Sequence, residues 1–221
     1  MDREVEIYRR LLDHYGAQHW WPAETPFEVI VGAVLMPQTT WRNVAEAIRN
    51  LKSEGLLDVH ALARASLPII RRNVKIAGLY RAKPRRLRDL CRHLVDGTGG
   101  DLVRYFDRPT DIVRADLLAQ DGVGPETADS ILLYAGGHPI FLVDAYTVRI
   151  ARRIGLFDTD VYSVIQRHFE DRVPRDLGTY QEYHALLVMH AKTLCRPTPK
   201  CDACPLQDLC DFGIRRRTHH R

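Results

Sequence analysis

Apolar residues recur along the chain mostly at helical spacing. Phe27, Ile30, Val31, Val34 and Leu35 fall on one face of a 3.6-residue repeat, and Val44, Ala47, Ile48 and Leu51 repeat the stripe. Thr25-Pro26-Phe27-Glu28 is a start signal for the first of these: Thr25 as N-cap, Pro26 at the first helical position and Glu28 closing a capping box. Leu87, Leu90, Cys91 and Leu94 mark a further helix, opened by Pro84 and stopped near Gly97. Other stripes span residues 110–119, 125–135, 145–154, 160–170 and 178–192. There is no alternating strand pattern or β-hairpin signal. Connections are short, punctuated by Gly, Pro, Asn or Asp, and no repeat recurs at a fixed period. The pattern predicts an all-α protein of about ten helices, arranged in two lobes that share one cleft.

Composition adds limits. The chain has 221 residues, 45% of them apolar, enough for one large domain or two small lobes and too many for a disordered chain. No apolar run approaches the roughly 20 residues of a spanning helix, so no membrane span is expected. Met1-Asp2-Arg3-Glu4 is charged from the start, and a cytoplasmic protein without a secretory signal is expected. The formal charge is only +4, and five lysines (Lys52, Lys75, Lys83, Lys192 and Lys200) leave arginine carrying most of the positive charge. That is either codon usage or a phosphate-facing surface, since arginine bonds phosphate bidentately. Clusters at residues 81–88 and at Arg215-Arg216-Arg217 favour the second reading.

Five cysteines occur. Cys91 lies on an apolar helix face, where a small buried hydrophobe is expected. Cys195, Cys201, Cys204 and Cys210 crowd into sixteen residues with gaps of five, two and five. The spacing is compatible with zinc, with disulfides in an oxidising compartment, or with an iron–sulfur cluster, whose wider thiolate steps suit it best.

Two further segments carry chemistry. In residues 117–129, Gly122-Val123-Gly124 joins two helical stripes, and Pro125-Glu126 opens the second. A sharp turn with exposed amides beside a helix N-terminus is a local anion site that a DNA phosphate fits; the plain alternative is an ordinary tight connection. Phe141-Leu142-Val143-Asp144 ends an apolar run in a carboxylate just before a helix. Asp144 is an N-cap candidate. It is also a candidate for stabilising an oxocarbenium-like sugar or activating water beside a glycosidic bond, and the two roles are compatible.

Taken together, Gly122-Val123-Gly124 with Thr127-Ala128, then Val143-Asp144, then the cysteine quartet, resemble the helix-hairpin-helix DNA glycosylases of the endonuclease III superfamily, over residues 27–210. The resemblance implies a six-helix barrel carrying the hairpin (residues 22–137). It implies a second helical lobe from both termini (1–21 and 138–221) whose loop 195–210 holds a 4Fe-4S cluster on Cys195, Cys201, Cys204 and Cys210, with Arg196, Lys200 and the tail arginines as flanking phosphate contacts. It implies duplex DNA with a damaged base as partner, a base flipped into a pocket, Asp144 as the catalytic carboxylate, Gln38 as gap filler and Leu79 of Gly78-Leu79-Tyr80 as the wedge into the opposite strand. Gly122, Val123, Gly124 and Thr127 would hold the DNA backbone. A monomer is expected.

Two departures sharpen the expectation. Bifunctional members carry a lysine where this chain has Glu126, and a carboxylate forms no Schiff base; hydrolysis by water, leaving an abasic site, is therefore implied. Trp20-Trp21-Pro22 and Trp41 hold all three tryptophans, an arrangement similar to the 3-methyladenine branch, in which indoles sandwich a cationic alkylated purine. The alternatives are a uracil or mismatch glycosylase, an oxidised-pyrimidine glycosylase, and a non-catalytic DNA-binding iron–sulfur protein.

Overall fold

The computed structural model describes the backbone of residues 2–219, and side chains through residue 215. Among the described residues there are thirteen α-helices, two 3-10 turns and no strand. The helical class is as the periodicity predicts; the number of helices exceeds the expected ten. The extra ones are short or strongly charged. Helix α1 (Arg3–Tyr15) buries little beyond Ile7, Leu11 and the carboxylate-bearing Glu4, too narrow a stripe to stand out among its arginines.

The chain divides into two compact units, one of Trp21–His138 and one of Met1–Trp20 with Pro139–Arg221. The first holds α2 (Pro26–Leu35), α3 (Trp41–Ser53), α4 (Val59–Arg64), α5 (Leu67–Val74), α6 (Ala82–Thr98), α7 (Leu102–Phe106), α8 (Thr110–Leu118) and α9 (Pro125–Tyr134). Six of these have eight residues or more; α4 and α7 are too short to show two turns of periodicity. Helix α2 is its core. Phe27 and every residue from 29 to 35 are buried, the pattern of a helix surrounded on all sides, and it packs against α3, α6 and α9. Each large aliphatic side chain there contributes about 1.5–3 kcal/mol of burial.

The caps agree in part with the sequence. Thr25 Oγ1 accepts from Glu28 N at 3.2 Å, but the Glu28 carboxylate accepts from Glu24 N at 3.4 Å rather than from Thr25, so the reciprocal half of the expected box is displaced by one residue. Helix α6 runs through Gly97 and stops at Gly99, whose φ of +68° is the left-handed conformation that glycine tolerates.

The second unit holds α1, α10 (Ala145–Ile154), α11 (Tyr162–Glu170), α12 (Leu177–Thr193) and α13 (Asp211–His219). Helices α1 and α10 pack on α12, and α13 packs on α10. The centre is aromatic: Phe141 stacks on Phe169 with centroids 4.4 Å apart, and Tyr180 and Tyr183 meet Phe141 edge-on.

Candidate functional site

The connection between α8 and α9 is a tight hairpin. Val123 N donates to Gln120 O at 3.1 Å, and Val123 tucks its side chain inward. Gly122 has φ +74°, a conformation that needs glycine, and its α-carbon is covered by the Arg86 guanidinium from α6. Gly124 is different: it is extended (φ −89°, ψ 177°), caps α9, and has open space where a side chain would stand. Pro125 then sets the first turn of α9, at the positive end of the helix dipole. Arg114 on α8 grips the fully buried Asp129 on α9 through two bonds of 2.7 and 3.1 Å, which fixes the two helices. Thr127 is buried, whereas Glu126, expected in the lyase-lysine position, is exposed.

Arg86 itself is half-buried, and its Nε is buried with no hydrogen-bond partner among the described residues. Below it, Lys83 is fully buried and donates from Nζ to Ala77 O at 2.7 Å. Burial, and then the charge of Arg86, pull the Lys83 ammonium down to a pKa of about 8.

Three non-glycine residues among those described have positive φ: His19 (+50°), Gln38 (+58°) and Leu79 (+42°). Such a conformation costs on the order of 1–3 kcal/mol and persists where surrounding structure imposes it. Two of the three are the sequence candidates for gap filling and wedging. Both are exposed, Leu79 at 40% of its full surface, unusual for a leucine in a folded unit. Leu79 O accepts from Lys83 N at 3.1 Å, so the wedge candidate is tied to the first turn of α6.

The tryptophans do not form parallel walls. Trp21 and Trp41 meet edge to face, with centroids 5.5 Å apart and an interplanar angle of 85°. Trp21 also leans on Tyr134 at 5.4 Å, and its indole lies against Gly32 of α2, where a methyl group would press on it at 3.2 Å. The expected sandwich between these two rings is therefore a corner, since an edge-to-face pair leaves no slot between its members. Trp20, in the other unit, lies under the Lys192 ammonium at 5.8 Å.

Asp144 ends a buried extended segment, residues 140–143. That segment is held from α11: Phe141 N donates to Glu170 Oε1 at 2.9 Å, and Gln166 Nε2 donates to Phe141 O at 2.7 Å. The carboxylate caps α10, its Oδ1 accepting from Thr147 N at 2.7 Å and Thr147 Oγ1 at 2.9 Å. Its side chain retains 12% exposure, and Oδ2 stands 3.6 Å from His184 Nε2 on α12. Burial alone would raise the Asp144 pKa, but the His184 imidazole and the Thr147 bonds outweigh it and hold the carboxyl below its ordinary range. A buried carboxylate that stays ionised suits a site where positive charge develops.

Beyond α12, all four clustered cysteines are half-buried and line one pocket together with Ile150, Leu206 and Phe212. Among the described residues no three His, Cys, Asp or Glu side chains form a group that could hold a metal ion. Burial pushes the Cys204 thiol up to about 11, and the other three cysteines push in the same direction. Arginines of α10 hold the loop: Arg149 donates to Cys195 O at 3.1 Å, and Arg153 reaches Cys195 Sγ at 3.4 Å, Arg196 O at 2.6 Å and Pro197 O at 2.9 Å. Arg196 and Lys200 are exposed; Arg216 and Arg217 lie outside the residues whose side chains are described. Cys91 is buried in α6 as expected, its thiol pushed up to about 12 by that burial.

Three residues of these sites were not expected from the sequence: Tyr134, Arg86 and His184. Tyr134 and His184 carry no local signal; Arg86 was visible only as one of a run of basic residues.

The sequence profile of the HhH-GPD superfamily base excision DNA repair protein matches residues 31–175. A protein of Methanocaldococcus jannaschii whose name assigns it provisionally to the DNA repair glycosylases is 44% identical over 93% of this chain and 94% of its own length. Endonuclease III of Thermotoga maritima is 29% identical over 96% of this chain and 93% of its own. Among solved structures, the H. pylori 3-methyladenine DNA glycosylase bound to 1,N6-ethenoadenine superposes with a TM-score of 0.78 at 26% identity, covering 86% of this chain and 97% of that one. A trapped endonuclease III–DNA covalent intermediate superposes with a TM-score of 0.83 at 25% identity, covering 98% and 100%.

Proposed function

Since this chain belongs to the HhH-GPD superfamily of base excision DNA repair proteins and is a DNA repair glycosylase, we propose that it releases an alkylated purine, such as 3-methyladenine, from duplex DNA by attack of water, and leaves the strand uncut. The observation that carries the substrate class is the aromatic corner of Trp21, Trp41 and Tyr134. A purine alkylated at N3 or N7 is cationic, and an electron-rich ring face attracts a cation by about 0.5–2 kcal/mol beyond what it gives a neutral base. The likeness to the H. pylori 3-methyladenine enzyme supports the same reading.

In this reading Gln38 fills the space the flipped base leaves, Leu79 enters the opposite strand, and the hairpin residues Gly122, Val123, Gly124 and Thr127 hold a backbone phosphate. Trp20 is a further aromatic candidate for contact with the base. Asp144 steadies the sugar as the glycosidic bond breaks; its charge, held in a dry place, opposes the positive charge that develops. An alkylated purine is already a good leaving group, so one carboxylate suffices. Glu126 offers no amine, so no covalent sugar–enzyme bond forms at that position.

The four cysteines are the residues that would hold a 4Fe-4S cluster, although their thiols are not gathered closely enough here for a single ion. They share one cavity, and their thiolates oppose one another, so only a cationic centre among them stabilises all four as ligands. A cubane is larger than a single ion and spaces its ligands further apart. When bound, the cluster would supply a cross-link that fixes the loop and an electron-accepting centre; no step of hydrolysis runs through it. Yellow-brown protein with iron and sulfide in equal amounts is expected, and a colourless protein holding one zinc would contradict it.

The test of substrate class is a panel of duplex oligonucleotides, each with a single lesion. Release from 3-methyladenine DNA, and little from uracil or oxidised-pyrimidine DNA, is the expected outcome. The reverse preference would place the chain functionally with its endonuclease III relatives and remove the aromatic argument.

A further inference from the structure

Asp144 presents two oxygens, and the fold commits only one. Oδ1 takes both Thr147 bonds, from the backbone N–H and the hydroxyl, and so belongs to the cap of α10. Oδ2 is the oxygen left for chemistry, and the ionisable group set against it is the His184 imidazole, 3.6 Å away. His184 is 5% exposed and comes from the middle of α12, the helix on which α10 packs. At 3.6 Å its Nε2 is beyond a normal hydrogen bond but close enough to act on the carboxylate electrostatically. The two Thr147 bonds hold Oδ1, and since Oδ1 lies off the Cβ–Cγ axis they also set the plane of the carboxylate. What they leave open is the surroundings of Oδ2, and the imidazole 3.6 Å away is the polar group there.

We propose that His184 is a positioning residue for the glycosylase reaction: its Nε2, set 3.6 Å from Oδ2 of Asp144, holds that oxygen in place to face the sugar. The proposal rests on the reading of Asp144 given above. His184 itself need not touch DNA. Its effect is felt only where positive charge develops, in the cationic sugar of the transition state.

The experiment uses two duplexes that need no knowledge of the natural lesion. One carries a neutral tetrahydrofuran abasic site; the other carries a cationic pyrrolidine in its place. The ratio of the two dissociation constants reports the negative charge that the site aims at the sugar. The wild type should prefer the cation. H184Q, which returns an amide nitrogen close to the Nε2 position, should keep most of that preference. H184N, whose amide stops short, and H184L, which fills the volume without a polar atom, should lose roughly tenfold of it. Affinity for the neutral duplex should change little in all three. Loss of packing alone would weaken both duplexes together and leave the ratio intact. A ratio unchanged in folded H184N would overturn the proposal, and H184N remains informative if H184L does not fold. D144N separates the two layers. If it abolishes the ratio while H184N does not, only the role of His184 falls; if D144N leaves the ratio unchanged, the assignment of Asp144 falls and His184 with it.

Discussion

Replacing each hairpin glycine by alanine separates what the fold needs from what DNA needs. Gly122 has φ +74°, and an added methyl would overlap the Arg86 guanidinium. The left-handed backbone costs a non-glycine residue about 1–2 kcal/mol. For a chain of this size each kcal/mol moves Tm by about 2–4 °C, so G122A should melt roughly 2–8 °C lower than wild type. Gly124 is extended, with no atom within 4 Å of the point where an added methyl would stand. Alanine there is a poorer cap by about 0.5–1 kcal/mol but also reduces the entropy of the unfolded chain by a similar amount. G124A should therefore melt within about 2 °C of wild type. Yet its methyl would occupy the path by which a phosphate must approach the amides of α9, and DNA affinity should fall at least tenfold, about 1.4 kcal/mol. The assay pairs a thermal melt with fluorescence anisotropy on one duplex at one fixed salt concentration, because salt alone moves such affinities by orders of magnitude. Full DNA affinity in G124A would refute the hairpin as the phosphate clamp. A G122A protein that melts with the wild type would refute the conformational argument.

Other outcomes follow from the same geometry. D144N keeps a good N-cap and should melt within about 0.5 kcal/mol of wild type while losing base release, whereas D144A should also lose about 0.5–2 kcal/mol of stability; chemical denaturation beside single-turnover kinetics checks both. R114A leaves Asp129 charged, buried and deprived of its two guanidinium bonds, a loss of about 3–5 kcal/mol, visible as a shifted urea midpoint with an unchanged slope. Lys83 has a folded pKa of about 8 against an ordinary 10.5. The unfolded chain thus binds the proton more tightly, the charged form penalises folding below pH 8, and that penalty is relieved as pH rises toward 10.5. The stability of wild type relative to K83M should accordingly rise across that window in paired urea titrations.

The residues that made the fold legible are those of long, one-sided helices. The stripe from Phe27 to Leu35 and that from Val44 to Leu51 each span at least two turns, and both became helices whose limits lie within three residues of the stripes. Helices α4 and α7, of six and five residues, are too short for a period to emerge, and α1 hides a narrow buried edge among charges. The hairpin was legible because two glycines and a proline restrict the backbone so strongly. Its strength was not: the Arg114–Asp129 pair looks in sequence like any two charges fifteen positions apart. Asp144 was visible as a cap, since its partner Thr147 is three residues on. His184 lies forty positions away on another helix, and only packing brings it to Oδ2. The backbone strain at Gln38 and Leu79 leaves no trace in composition, because neither residue favours positive φ. The tryptophans were legible as a set but not as a geometry; whether indoles stand parallel or edge-on depends on Gly32 and Tyr134, which no local pattern connects to them.

The proposed reaction turns on a carboxylate that empties a sugar of its base without a covalent bond to the enzyme. Its most direct measurement is a single-turnover reaction on 3-methyladenine duplex, run with and without borohydride and with and without alkali. The prediction is complete base release, strand cleavage only after alkali, no borohydride-trapped adduct, and loss of all release in D144N. Strand cleavage before alkali with a trapped adduct would contradict it, and so would release that continues undiminished in D144N.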